Sequence, residues 1–468
     1  MPMTGFCSPS RRPFVAVIPA VLLLAGAAIS FWPAPADAQG PSDWAITSLE
    51  TIADGVRELK GNITIESGGE LRLTNATVVI NCSKDAEFRL EVRQGGRLQA
   101  DRANITAGPS GSHYTFRVNG SLDLRSTEVS GTRGHFYDGG SELGPSSTAT
   151  ISGCHLFGNQ YYAVVVNGTS PSITNCTIDA EKGGIRVENG GAPVITGNLI
   201  RSAAAQAIIV FDSRPVIRNN RLLGDFHGID LSNSKPEISG NEIANCALWG
   251  IQCVNRADAN LTGNAISGCA GDGISVISSS PYIAGNSITG NGVGVNTSGA
   301  SAVLSGNTIT GNRQWGVLAR SGAPSLGDNK YTDAGGARNG AGDVAVVYLL
   351  SVRVEQADRS LAVGAEVTVK DGSGAPVFTG LTGQDGTVSG IECYQYHINA
   401  SGRTGDTPHK VSVKHAGQSS STTVTMDKDR QMTARLGQQG SSFIPGPGAL
   451  GAALACVLAL FYLRTRMK

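Results

Sequence analysis

Six stretches decide how this chain folds: PVITGNLI (193–200), PVIRNNRL (215–222), PEISGNEI (236–243), ANLTGNAI (259–266), PYIAGNSI (281–288) and AVLSGNTI (302–309). They recur every 22 residues, give or take one. Looser copies, ATISGCHL (149–156) and PSITNCTI (171–178), precede them, and PSLGDNKY (324–331) follows. Between copies comes a second signal, a Gly-Ile or Gly-Val step at Gly184, Gly228, Gly250, Gly273, Gly294 and Gly316. A fixed period of this size means one structural unit repeated, and each unit must hide its apolar face against its neighbours.

Within each unit aliphatics alternate with polar residues and are broken every few positions by Gly, Asn, Ser or Pro, which leaves room for short strands and tight turns but no helix. Three apolar positions recur in register. The first runs Ile151, Ile173, Ile195, Ile217, Ile238, Leu261, Ile283, Leu304, Leu326; the second Leu156, Ile178, Ile200, Leu222, Ile243, Ile266, Ile288, Ile309, Tyr331; the third Val164, Ile185, Ile208, Ile229, Ile251, Ile274, Val295, Val317. If one unit is one coil, like residues stack about 4.8 Å apart and the ladders line a continuous core. A fourth ladder is polar: Asn198, Asn220, Asn241, Asn264, Asn286, Asn307 and Asn329. Asn accepts the left-handed backbone of a tight turn, and stacked amides donate to and accept from one another, so this ladder is expected to be structural. Cys154 and Cys176 hold its position in the first two coils, and Cys246 and Cys269 precede Asn291 and Asn312 in another ladder. Stacked side chains run parallel, so buried thiols are expected there in preference to bridges.

The expected fold is therefore all-β, a right-handed parallel β-helix of about 22 residues per coil over 39–345. ITIESGGELRLTNATVV, LEVRQGGRLQADRANIT and FRVNGSLDLRSTEVS are read as opening coils, and the Gly/Ser-rich 131–148 as a loop thrown out of the stack. Over about residues 45–345 the Pro-x-Ile-x-x-Asn-x-Ile and Gly-Ile pattern resembles the NosD-like β-helix proteins, also called the carbohydrate-binding and sugar-hydrolase repeat group. That resemblance implies the fold; the architecture hosts lyases, hydrolases, adhesins and accessory proteins alike.

Residues 346–436 read as a small β-sandwich, with Val alternating around Asp-Gly and Gly-x-Pro turns. They resemble the carboxypeptidase regulatory-like modules of surface proteins through Gly364, Ala365, Asp371, Gly374, Val377, Gly380, Thr382 and Gly386, although Gly383 stands where that family usually has Asp. The resemblance implies a spacer or binding unit without chemistry.

The ends speak of export. Arg11 and Arg12, an apolar run over 14–32 and the small-x-small site Ala36-Asp37-Ala38 read as a signal peptide, 1–38. A linker (437–448) leads to an apolar segment (449–463) and a basic cytoplasmic tail (464–468) carrying Arg464, Arg466 and Lys468, the pattern of a transmembrane anchor. Its FIPGPG lead-in resembles the sorting tails of archaeal surface proteins, with Pro447 where an aromatic residue is usual. Asn-x-Ser/Thr sequons such as Asn75, Asn175 and Asn260 fit a surface glycoprotein. With 37 basic against 37 acidic residues, the chain shows no footprint for nucleic acid. The implied partners are the membrane and a surface ligand.

No catalytic set declares itself. A polysaccharide-degrading β-helix would need paired carboxylates on adjacent coils of one face, and the acidic residues here are scattered. Asp225, His227 and Asp230 form the one compact polar group and are the weak catalytic candidates, with a solvated turn as the plainer reading. The NosD-like resemblance raises copper, but His113, His135, His155 and His227 stand singly and Met426 and Met432 lie in the sandwich, so neither metal nor cofactor is expected. What remains is the position just before the Gly-Ile step: Tyr162, Gly183, Gln206, His227, Trp249, Asp272, Val293, Trp315. Aromatic faces beside polar groups are what a sugar groove uses, so Tyr162, His227, Trp249, Asp272 and Trp315 are the candidate glycan-binding residues, against the alternative that the tryptophans are core. The expectation is a membrane-anchored surface protein with a structural or polysaccharide-binding role; the alternative is a surface polysaccharide lyase or glycoside hydrolase.

Overall fold

A computed structural model describes residues 42–133, 141–144, 146–322, 324–332, 342–399, 402–437 and 443–445. Each repeat unit forms three short strands, one in each of three parallel sheets that run the length of a solenoid. Among the described residues the first of these sheets, which includes Trp44–Ile46 and Trp315–Arg320, continues past the solenoid and holds 18 strands, and the other two hold 13 each. The three aliphatic ladders pair residue for residue as the period requires: Ile217 with Ile238 and then Leu261, Leu222 with Ile243 and then Ile266, Ile229 with Ile251 and then Ile274. All of these are fully buried, in one core that extends from Trp44 to Val344.

The polar ladder closes one corner of the coils from Asn198 to Asn329. The Oδ1 of Asn220 accepts both the main-chain N–H and the Nδ2 of Asn198 at 2.9 Å, and its own Nδ2 donates to Ile195 O and to Asn241 Oδ1. The same bonds repeat through Asn241, Asn264, Asn286, Asn307 and Asn329. The left-handed backbone lies one residue earlier than the sequence reading put it: Gly197, Asn219, Gly240, Gly263, Gly285 and Gly306 carry φ of +53° to +68°. The ladder asparagines are thus free to spend both side-chain ends on hydrogen bonds. The Gly of the Gly-Ile step has a different reason: a Cβ on Gly228 would lie 2.4 Å from Gly250 O and 2.6 Å from Ile243 Cγ2, so only glycine lets this corner close on the core.

The segment read as an ejected loop is partly in the stack. Ser141–Leu143 is a strand of the first sheet, paired with Thr115–Val118 on one side and Tyr162–Asn167 on the other, because Leu143 fills the core position of its coil. Among the described residues seven cysteines are free and buried, and the four at stacked turn positions, Cys154, Cys176, Cys246 and Cys269, are thiols as expected.

The strand Gly342–Glu355 joins two cores, and the change of fold read at 345/346 falls inside it. Its first half pairs parallel with Trp315–Arg320, the last coil's strand of the first sheet. Thr387–Asn399 pairs antiparallel with Gly342–Glu355 from Val344 to Arg353, and the second half of Gly342–Glu355 also pairs parallel with Arg430–Arg435 and faces a four-stranded antiparallel sheet across a second core of Val346, Leu350, Val352, Val367, Val411 and Ala434. Thr382 and Asp371 hold the turns of this unit: the Thr382 hydroxyl bridges Ala365 N and Ala362 O, and Asp371 Oδ1 accepts from Ser373 N and Ala375 N. Among the described residues no helix is long and apolar enough to cross a membrane. The segment 1–38 read as a signal peptide, the apolar segment 449–463 and the basic stretch 464–468 lie outside the described residues.

Two substitutions test this architecture. Ile243→Asp puts a charge among Leu222 and Ile266 and should abolish the cooperative unfolding transition, seen as loss of β signal in circular dichroism. Asn264→Leu strands buried partners on both neighbouring coils and should lower stability by about 2–4 kcal/mol in urea titration.

Candidate functional site

The first sheet turns its outer side to a row of side chains that the coils deliver in order. Gly183 lies under the ring of Tyr162, where a Cβ would come within 2.4 Å of the ring, and this lets the Tyr162 hydroxyl reach past it to donate to Gln206 Oε1 at 2.6 Å. Burial raises the Tyr162 phenol above its ordinary range, so it stays a donor. The next coil carries His227, paired with Gln206 in the strand register.

His227 is the centre of the row. Its Nδ1 lies 2.7 Å from Asp230 Oδ2, three residues on, and its ring sits between Phe226 (centroids 4.8 Å) and Trp249 (4.6 Å). Both members of the pair are more than nine-tenths buried, at 6% and 8% exposure, yet His227 Nε2 and Asp230 Oδ1 have no partner. Phe226 and Trp249 are half-exposed. Further along, Asp272 Oδ2 accepts from Asn296 Nδ2 at 2.9 Å, and Arg320 links Asn296 Oδ1 to Glu392 of the C-terminal unit. Burial raises the Asp272 carboxyl above its usual range, against the hydrogen bonds from Asn296 and Ser275.

Trp315 has different surroundings. It packs with Val293, Leu318, Ala345 and Val347, its ring centroid 6.2 Å from that of Tyr394, where the last coil meets the C-terminal sheet. The row therefore divides into a polar-aromatic cluster from Tyr162 to Trp249, an Asp272–Asn296–Arg320 chain, and an apolar junction at Trp315. Phe226, Tyr394 and Arg320 escaped the sequence reading. Phe226 was findable as the neighbour of His227, whereas Tyr394 is brought in by a strand pairing that no period announces.

The family described as "Right handed beta helix region" matches residues 61–222 and 183–332, together more than half of the chain. The chain belongs to the right-handed β-helix family. Among solved structures, this β-helix is similar to a double mutant of the periplasmic alginate epimerase AlgG, at 14% identity over 59% of this chain and 78% of that one, with a TM-score of 0.50. AlgG without those mutations gives the same identity and coverage with a TM-score of 0.42. Bacteriophage CBA120 tailspike protein 3 is 13% identical over 75% of this chain and 64% of that one, with a TM-score of 0.46. No curated protein matches. At such identities the likeness is one of fold.

The β-helix separates Asp225 from the His227–Asp230 pair with which the sequence reading grouped it. Asp225 is fully buried in the second turn ladder, where its Oδ1 accepts Ala203 N at 2.8 Å just as Asn291 Oδ1 accepts Cys269 N. The other side-chain atom of Asn291 is an amide nitrogen that donates to Ile266 O and Asn312 Oδ1. In Asp225 that place belongs to Oδ2, which has no partner, and burial pushes the carboxyl up to about 7. Protonated, it can donate as the amide does.

Among the described residues no group of three or more His, Cys, Asp or Glu could hold a metal ion. His113 meets Asp85 and His155 meets Asp179, each a single pair, and His135 lies outside the described residues.

A raised carboxyl binds its proton more tightly in the folded than in the unfolded chain. The stability it contributes is complete below the unfolded value of about 3.9 and is lost as pH rises through about 7. Asp225→Asn should therefore melt like the parent chain at acid pH and become more stable than it above neutrality, by roughly 2–4 kcal/mol at about 1.4 kcal/mol per pKa unit. Melting curves across that pH range check this; a constant difference at all pH values would contradict it.

Proposed function

We propose that this β-helix is an exported, membrane-anchored surface protein that binds a polysaccharide along the outer side of its first sheet. The observation that carries the reading is the His227–Asp230 pair, nine-tenths buried, with one polar atom of each unpartnered, between the rings of Phe226 and Trp249. Leaving such groups unsatisfied costs about 1–3 kcal/mol apiece, which a hydroxyl admitted by a shift of the Phe226 and Trp249 rings would recover. A pyranose offers hydroxyls at its edge and an apolar face for a ring, which matches the cluster in both respects. Tyr162, Gln206 and Asp272 extend the polar row to either side, and the solenoid holds the row straight, as a linear chain of sugars requires. Trp315 stands at the far end of this row, with part of its ring committed to the junction. Anchoring rests on the apolar segment 449–463 and the basic residues after it, and export on the signal-like 1–38. The C-terminal unit, with its regulatory-like turn pattern, serves as the spacer between membrane and β-helix.

A second reading, glycan processing, has one observation in its favour: Asp230 engages Nδ1 of His227 and leaves Nε2 free, the arrangement that orients an imidazole for proton transfer. New chain ends released from a bound polysaccharide, and their loss in His227→Ala with binding retained, would establish it.

Trp249→Ala should weaken polysaccharide binding by about 1–3 kcal/mol with little change in melting temperature, whereas Trp315→Ala should chiefly lower the melting temperature. Carbohydrate pull-down of the full chain, with melting curves alongside, is the check. If Trp249→Ala destabilises the fold and leaves binding intact, the ring is core and the reading fails.

A further inference from the structure

The charges on the binding face select among polysaccharides. Two arginines of this face are already committed. Arg186 holds Glu188 through two contacts, at 2.8 and 2.6 Å, and leans on Phe211. Arg320 holds Glu392 at 2.8 Å and Asn296. At the rim, Lys182 lies over the ring of Tyr161, beside the exposed Glu181. The carboxylates are in the opposite condition. Asp230 and Asp272 are each about nine-tenths buried, and among the described residues no lysine or arginine bridges either of them. Asp230 turns one oxygen to His227 and leaves the other without a partner, while Asp272 is held by Asn296 and Ser275. Between them in the strand register come neutral amide and hydroxyl groups, Gln252 next to Asp230 and then Ser275.

We infer, on the footing of the glycan reading above, that the polysaccharide taken by this face is uncharged. A polyuronate would bring one carboxylate per sugar against the largely buried Asp230 and Asp272. Like charges so placed repel, and Arg186 and Arg320, spent on Glu188 and Glu392, do little to offset it. A neutral pyranose chain meets no such penalty. Its hydroxyls donate to Asp272 and pair either way with the Gln252 amide, and they reach the buried, unpartnered Asp230 Oδ1 and His227 Nε2 once the rings of Phe226 and Trp249 shift aside. The acidic residues thus serve as acceptors for sugar hydroxyls and, at the same time, as a barrier to anionic glycans.

Native affinity electrophoresis of the full chain tests this, with dextran, mannan and hydroxyethyl cellulose as neutral probes and alginate and polygalacturonate as anionic ones. The expected result is retardation in one or more neutral gels that added salt does not reverse, and unchanged mobility in both anionic gels. Asp272→Lys, checked for folding by circular dichroism, should gain retardation in alginate. Retardation of the parent chain by alginate or polygalacturonate overturns the inference while the glycan reading stands. Unchanged mobility in every gel overturns the glycan reading itself.

Discussion

Everything in this molecule depends on coils stacking in register at strand spacing. A single coil holds three aliphatic side chains and a turn full of main-chain donors, and it can satisfy neither alone. Ile243 is buried only because Leu222 lies on one side and Ile266 on the other. Asn241 is satisfied only because Asn264 stands one coil on, accepting from its main chain and its side chain together. Apolar burial gives the stack its driving force, but aliphatic faces slide easily. The amide ladder has direction and fixed reach, and so sets the register in which burial operates.

That constraint is also what frees the outer side of the first sheet. Because core and turns are spent on stacking, side chains facing outward can vary from coil to coil without disturbing the repeat. Tyr162, His227, Trp249 and Asp272 occupy one position of the unit, yet differ in size, charge and hydrogen-bonding capacity. In the coils of His227 and Trp249 the glycine one residue later keeps them there: with Gly228 and Gly250 drawn in against Ile243 and Ile266, the preceding residue is turned to the outside. A rigid frame with one free position per coil is well suited to a ligand that is itself a linear repeat.

The fold was legible in the sequence because its physics repeats. Alternation marked the strands, the period marked the coils, and the three ladders pair in the structure as the spacing required. The C-terminal sheet was legible from its Val alternation and turn residues, although the single strand carrying the chain from one core to the other was not, since a continuous run of Val344 to Val354 looks alike on both sides of the join. The site was legible only in part. The stripe could be written down, but the sandwich of His227 between Phe226 and Trp249 depends on ring orientation, which a pattern of letters does not carry. Ser141–Leu143 was lost among Gly and Ser because a three-residue strand with one core residue has almost no periodic signal. Asp225 was grouped with His227 because they are two residues apart, when the turn between them sends one side chain inward and the other out.

The position of Asp225 points to how fold and face are joined. The second turn ladder is amide at Asn291 and Asn312, where the outer row holds Val293 and Trp315 at the apolar junction. It changes to thiol at Cys269 and Cys246 and to acid at Asp225, in the same coils that deliver Asp272, Trp249 and His227. A thiol donates weakly and a buried acid holds its proton at a cost in stability, so these coils are stacked less firmly at that corner than their neighbours. Two or three residues separate each weakened turn from the outward side chain it precedes. A strong amide ladder would hold the backbone there as tightly as it does at the first corner, where Asn220, Asn241 and Asn264 run unbroken through the same coils. The chain thus keeps one ladder whole for register and relaxes the other where the outer row gathers its rings and unpaired polar atoms, the place where a departure from the repeat is expected to serve function and not folding.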